Sequence, residues 1–334
     1  MISWTDSVES KAAIIHSQIA AARVLAEKHG GNADDVSARY FALLRTLYED
    51  EFPFARMADA SDLVARFQGP SVDLEQPPVT VVSYVFRDLR DQIRSIAKAI
   101  VGLTSDHRLR WPAELDPQLA GLARGSLLVG LKVPRPTDEN QTGQILLPEV
   151  SEQVFNSVRS AVRSLSAIAK HVREDSVDDA IREEFPDPAI RDTVMVAASR
   201  LAPTGKRGIN SVVFYGPERD QIEPRALTSR SRAVLIRALA RHVKVLSSGI
   251  FVGTVREIDL DARRFEIRGV TSAGAIRCVY ENKLDKLVRE ILDARVSVSG
   301  SYETIGNQVP RLVQVGAIKL VKSTPEQGNL LTRE

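Results

Sequence analysis

The stretch that decides the fold runs from Phe251 to Val321. It falls into four readable pieces: FVGTVREIDLDARRFEIRGVTSAGAIRCVY (251–280), NKLDKLVREILD (282–293), VSVSGSY (296–302) and PRLVQVGAIKLV (310–321). In the first piece, Phe251, Gly253, Val255 and Ile258 lead to the polar turn at 259–263. Phe265 and Ile267 then alternate with Arg264, Glu266 and Arg268, and Ile276, Cys278 and Tyr280 alternate with Arg277 and Val279. A period of two is the mark of strands with one buried face. Leu284, Leu287, Val288 and Ile291 recur instead at three and four, which predicts a helix. Val296, Val298 and Tyr302 alternate with serines, and Leu312, Val313, Val315, Ile318 and Leu320 supply a last strand. Five short strands leave unpaired edges unless the sheet closes, so the pattern predicts a small barrel.

The order strand, strand, strand, helix, strand, strand resembles the OB-fold over the C-terminal 75 or so residues, by element order alone. The remainder of the chain resembles no characterised family. OB-folds commonly hold nucleic-acid strands through aromatics on strands two and three and a basic groove. The resemblance therefore implies Phe265 and Tyr280 as aromatic candidates, although the alternation puts Phe265 in the core. Arg264, Arg268 and Arg277, read as outward-facing, are the candidates for phosphate contact.

Moving upstream, a basic helix is predicted over about 227–245. At 100° per residue, Arg230, Arg237, Arg241 and Lys244 share a stripe about 60° wide. Leu235, Ile236, Leu239 and Val243 fall on the opposite side, with Arg232 intruding and expected to pair with an acidic residue elsewhere. No acidic residue lies between Glu223 and Glu257. Residues 151–334 carry 29 Lys+Arg against 23 Asp+Glu, and the first 150 carry 16 against 20. Such segregation bears on partners rather than fold. The stripe suits phosphates; the plainer alternative is a solvated face, or one paired with the acidic N-terminal half.

The fold class expected is α+β, with a helical region at 1–105, a mixed α+β domain at 106–245 ending in the basic helix, the barrel at 246–323 and a loose tail at 324–334. Helices are predicted at about 7–29, 34–48 and 79–101. In the last of these, Val82, Phe86, Leu89, Ile93, Ile96 and Ile100 form a core-facing stripe. Strands at 119–123 and 126–133 turn at Arg124-Gly125. Helices at 148–173, 177–184 and 188–201 precede a strand at 210–215.

Composition is globular, 43% hydrophobic and 26% charged over 334 residues, with enough length for two or three domains. One cysteine, Cys278, rules out an internal disulfide and every Cys-based zinc pattern, and it reads as a buried thiol. No apolar run reaches the ~18 residues of a membrane span and no leader is visible, so a cytoplasmic chain without membrane contact is expected.

The fragments that imitate catalytic motifs are incomplete or accidental. Pro203-Thr204-Gly205-Lys206 has Arg200 where a P-loop needs its first glycine and Arg207 where it needs Ser or Thr. Arg237 to His242 has the Arg-x4-His spacing of HEPN ribonucleases, but in so arginine-rich a chain such spacings arise by chance. Asp187 and Glu281-Asn282-Lys283 imitate halves of a PD-(D/E)xK nuclease, yet lie far apart. Asp259 and Asp261 read as turn chemistry. No catalytic residue, metal site or cofactor is therefore assigned. The function expected is a non-enzymatic binding or scaffold protein holding nucleic acid through the basic helix and barrel. The alternative is a protein-interaction or oligomerisation subunit of a larger complex, and a metal-dependent nuclease comes third.

Overall fold

The computed structural model describes residues 3–73, 76–101, 117–123, 127–135, 148–216, 225–240, 247–271, 274–303 and 310–321. Helix α1 (Trp4–Lys28) begins at a capping box. The Ser3 hydroxyl accepts from the Asp6 amide at 2.9 Å, and the Asp6 carboxylate accepts from the Ser3 amide at 2.7 Å. Asp59 adds a second carboxylate at the same helix end, accepting from the Trp4 and Thr5 amides at 2.7 and 2.8 Å. Helix α2 (Ala33–Thr46) runs through a π turn (Leu47–Glu51) into α3 (Phe52–Ala60). Pro53 has no N–H to return to the preceding turn, and the helical ladder widens there.

Between α3 and α4 (Val79–Val101) lies β1 (Leu63–Gln68), a strand inside the region expected to be helical. It is the central strand of a five-stranded antiparallel sheet with β2 (Gln118–Ala123), β3 (Leu127–Lys132), β4 (Ser211–Tyr215) and the two-residue β5 (Leu227–Thr228), in the order β2-β3-β1-β4-β5. Ala65 faces Val129 on one side and Phe214 on the other. Helix α5 (Pro148–His171) packs on β1 and β4. Edge-to-face contacts link Trp4 to Phe54 at 5.6 Å and Phe54 to Tyr215 at 5.1 Å, so α1, α3 and β4 share one aromatic cluster.

The expected boundary near residue 105 therefore does not separate a helical domain from an α+β one. Residues 1–100 form a single compact unit with 111–178 and 197–235, because β1 supplies the middle of the sheet. The helix predicted at 177–184 is shorter, α6 (Ile181–Glu184), with Val177 bridging back to Val172.

A second unit takes in 179–196 and the chain from 236 onward. It holds α6, the first part of α7 (Pro188–Leu201), the last part of α8 (Ser229–Ala240), and the strands β6 (Ser247–Asp259), β7 (Arg264–Val270), β8 (Gly274–Val279), β9 (Arg295–Tyr302) and β10 (Leu312–Leu320). These strands close in the order β10-β8-β7-β6-β9. β8 and β10 run parallel and every other pair is antiparallel. Helix α9 (Asp285–Glu290) stands between the third and fourth strands. The inward set predicted from alternation is the core: Val255, Phe265, Ile267, Ile276, Cys278, Val296, Val298 and Val313 are all at most 2% exposed. Burying each large aliphatic or aromatic side chain contributes about 1.5–3 kcal/mol. Closure needs Gly300, where a Cβ would fall on the Gln314 carbonyl oxygen, next to the register shift between Val315 and Ala317. The fold class is α+β, with an N-terminal helical region and two five-stranded sheets. The turn at Arg124-Gly125 and the tail at 324–334 lie outside the described residues.

Candidate nucleic-acid interface

Helix α8 starts directly after β5, which pairs Leu227 with Val212. Its buried side carries Val234 and Leu235, with Ser231, Ala238 and Leu239 half-buried, while Ile236 is 46% exposed. The buried face is thus rotated from the predicted one, because Val234 anchors it and Ile236 does not. Arg230 is exposed, donates to the Glu174 carbonyl at 3.2 Å and meets the Asp175 carboxylate at 2.9 Å. Asp175 first, with Glu174 behind it, holds this guanidinium above its ordinary pKa. Arg232, expected to pair with an acidic residue, instead donates to the Ser199 carbonyl in the last turn of α7, where helix carbonyls lack intrahelical donors. Arg237 is exposed, and Arg241 and Lys244 lie outside the described residues.

The three barrel arginines are placed differently from the expectation. Arg264, predicted to point outward, is 8% exposed and grips Asp192 of α7 in a two-pronged pair, Nε to Oδ2 at 2.9 Å and Nη2 to Oδ1 at 2.7 Å. Arg277 on β8 donates to the Thr193 hydroxyl. Arg268 turns back along its own strand to Glu266 at 2.5 Å.

Two more pairs join the same surfaces. Arg311, just before β10, meets Asp187, which also caps α7 by accepting from the Ala189 amide at 2.8 Å. Arg191 reaches Glu303, just after β9, at 2.8 Å, and its other nitrogen donates to the Phe185 carbonyl at 3.0 Å. The start of α7 is therefore fastened to β7, β8 and both ends of the β9–β10 connection. A buried pair such as Asp192–Arg264 adds little net stability against an apolar substitute, but losing one partner strands the other charge.

The aromatic candidates are core residues. Phe265 and Tyr280 are 2% and 3% exposed, with ring centroids 5.9 Å apart. Burial, then the nearby Asp285 charge, raises the Tyr280 phenol above its ordinary pKa. Cys278 is fully buried, and desolvation together with the Glu266 charge pushes its thiol well above the usual range. A thiol held neutral in this way is a poor nucleophile.

The nuclease-like fragments have other employment. Asp187 caps α7 and binds Arg311. Glu281 sits 2.9 Å from Lys283, and Asp259 accepts from the Ala262 amide at 3.0 Å in its turn. His242 lies outside the described residues. Among the described residues, no group of three or more His, Cys, Asp or Glu is placed to hold a metal ion. No helix there is long and apolar enough to cross a membrane.

Sequence reasoning missed Asp192, Thr193, Glu303 and Arg311. The available signal was the first half of α7 itself. A helix reading Arg191-Asp192-Thr193 before an apolar run, and buried from Arg191 to Ser199, has to satisfy those polar groups inside the protein.

No known family model matches the chain. No solved structure matches it either. The chain is similar to a chloroplastic/mitochondrial glutamyl-tRNA(Gln) amidotransferase subunit from Ostreococcus tauri, at 29% identity over 198 residues. The match takes in 58% of this chain and 34% of that protein, so the chain spans about a third of the relative's length.

Proposed function

We propose that the protein is a non-enzymatic scaffold subunit that works through protein contacts, with its C-terminal barrel an OB-fold that serves as a structural anchor. The observation that carries this reading is a second apolar stripe on α1. Val8, Ala12, Ile19 and Ala26 face the core, but Ile14, Ala21 and Leu25, spaced by seven and four, remain in water, with Ile14 59% and Leu25 62% exposed. Val24 on α1 and Val36 and Leu43 on α2 are exposed as well. A helix with apolar residues at heptad-like spacing on a solvent side is suited to receive a helix from another chain.

The OB assignment is supported by the strand order, the parallel β8–β10 pair and the helix between the third and fourth strands. In such a fold, nucleic acid lies over strands two and three and the loops flanking them. Here Arg264 on strand two and Arg277 on strand three are already engaged by α7, as is Arg311 before strand five, which favours anchoring over strand binding. A single buried thiol suits a reducing compartment, the cytoplasm.

Sedimentation velocity of the full chain tests the reading. The protein should sediment above monomer mass, and Leu25→Asp should shift it toward monomer. A strictly monomeric wild type, indistinguishable from the variant, would remove the stripe as the carrier of this function.

The second reading, nucleic-acid binding along α8, is favoured by the exposed Arg237 and by a relative named for a tRNA amidotransferase. If the four predicted residues contact phosphate, affinity for single strands should fall with a log–log salt slope of roughly −3. Arg237→Glu should weaken all sequences alike. Fluorescence anisotropy with labelled oligonucleotides and tRNA at three salt concentrations separates the two readings.

A further inference from the structure

The exposed stripe of α1 is symmetric in a way that bears on what covers it. At 100° per residue, Ser7, Ser10, Ile14, Ala21, Leu25 and Lys28 fall within about 30° of one line along the helix. All six are exposed, and the core-facing Val8, Ala12, Ile19 and Ala26 lie on the other side of the helix. Counted outward from the midpoint between Ser17 and Gln18, Ile14 corresponds to Ala21, Ser10 to Leu25 and Ser7 to Lys28. Each long side chain on one half of the stripe thus has a small one at the same distance on the other half.

Two copies packed parallel and in register would set Ile14 on Ile14, leave Ala21 facing Ala21 across a gap and stack Lys28 on Lys28. Turned antiparallel about the midpoint, they set Ile14 against Ala21 and Leu25 against Ser10. Each contact is made twice, because a two-fold interface repeats every contact. Large against small at every layer lets the two helices approach closely without a void. Lys28 then stands opposite Ser7 and beside Asp6 in the first turn of the other copy, where its charge meets a carboxylate instead of a second ammonium. A helix built to receive a partner of different sequence needs no such internal symmetry.

Given the reading of α1 as a contact surface, on which this rests, we propose that its partner is a second copy of the chain. The two copies pack antiparallel along α1, about a two-fold axis between Ser17 and Gln18.

Cysteine cross-linking of the full chain tests this, since the native Cys278 is fully buried and does not compete. Ile14→Cys and Ala21→Cys are made separately, one of them carrying a mass tag, then mixed and oxidised. Facing positions are within reach of a disulfide, whereas the two copies of position 14 stand about 10 Å apart along the axis, beyond the ~7 Å that a disulfide spans between Cα atoms. The mixed disulfide should therefore exceed either self-disulfide by about tenfold or more. In sedimentation velocity, Ala21→Ile should weaken assembly by about tenfold or more by setting isoleucine against isoleucine. Adding Ile14→Ala to it exchanges the two sizes and should restore assembly. If Ile14→Cys cross-linked to itself as readily as to Ala21→Cys, or Ala21→Ile assembled more tightly, the antiparallel pairing would be overturned while the contact surface stood. An assembling wild type whose cysteine variants gave no disulfide in any combination would equally overturn the pairing. A monomeric wild type would remove the pairing and the surface together.

Discussion

In the barrel, Val255, Ile267, Val296 and Val298 are fully buried, and the arginines of β7 and β8 end on Asp192, Glu266 and Thr193. The α1–α2 hairpin buries far fewer of its apolar side chains. Ser37, Leu44 and little else of α2 are buried, and Ile14, Val24, Leu25, Val36, Phe41 and Leu43 stand in water. The barrel's core and the arginines of β7 and β8 are satisfied internally, although Ile250, Leu260, Leu292 and Leu320 stay exposed on its surface. The hairpin keeps an apolar surface that costs free energy as long as it is hydrated. The difference shifts the functional reading from the barrel, where the fold directs attention, to the helices.

The largest effects should come from breaking the barrel side of that comparison. Val296→Asp places an unpaired carboxylate at a fully buried position and should cost on the order of 5 kcal/mol or more, unfolding the second unit in a denaturant titration. An unchanged melting temperature would mean that Val296 faces outward and the β9 register is wrong by one residue. Asp192→Ala should cost about 3–5 kcal/mol by stranding Arg264, and Asp192→Leu combined with Arg264→Met should recover most of the loss. If Asp192→Ala instead proved silent, the barrel arginines would be available to other ligands and the contrast with the hairpin would weaken.

What could be read from the chain follows the same division. The barrel declared itself because each strand has one wet face, so the period of two survives in residues such as Phe265 and Ile267 against Glu266 and Arg268. Helix α4 was legible from its apolar spacing, and α7 from Pro188 at its first turn and the stop at Pro203-Thr204-Gly205. β1 was not. Its Leu63, Val64 and Ala65 are buried on both faces, which leaves a short apolar run that periodicity cannot tell from a buried helix. The arginine pairs were illegible for another reason. Asp192 lies 72 residues from Arg264, and only the fold brings them together. The exposed stripe on α1 was in the sequence too, but spacing alone does not say which of two apolar stripes meets the core.

A smaller effect is expected from pH. Cys278 has its pKa raised in the folded protein, so below about pH 8.5 both states keep the proton and nothing changes. Above it the unfolded thiol ionises while the folded one does not, and stability should fall by up to about 1.4 kcal/mol per pH unit. Cys278→Val should flatten that slope between about pH 8.5 and 10 in urea titrations. Tyr280→Phe should be milder still. Its hydroxyl is buried without a hydrogen-bond partner among the described residues, so removing it should leave stability unchanged or raise it by about 1 kcal/mol. A loss of more than that would reveal a partner for the phenol.

The least change in stability belongs to the hairpin, and it is the most informative. Ile19 and Leu25 sit on the same helix, one 7% and the other 62% exposed. Ile19→Asp buries a charge in the α1 core cluster and should cost about 3 kcal/mol or more. Leu25→Asp touches solvent already and should stay within about 0.5 kcal/mol of wild type by urea denaturation. Association should respond in the opposite order. Leu25→Asp removes a stripe residue from a helix that still folds, so sedimentation should show less assembly at unchanged stability. Ile19→Asp, measured under conditions where it remains folded, should assemble like wild type. If Leu25→Asp destabilised the monomer as much as Ile19→Asp, the supposed outer face would be a core face. The hairpin would then offer no apolar stripe to a partner.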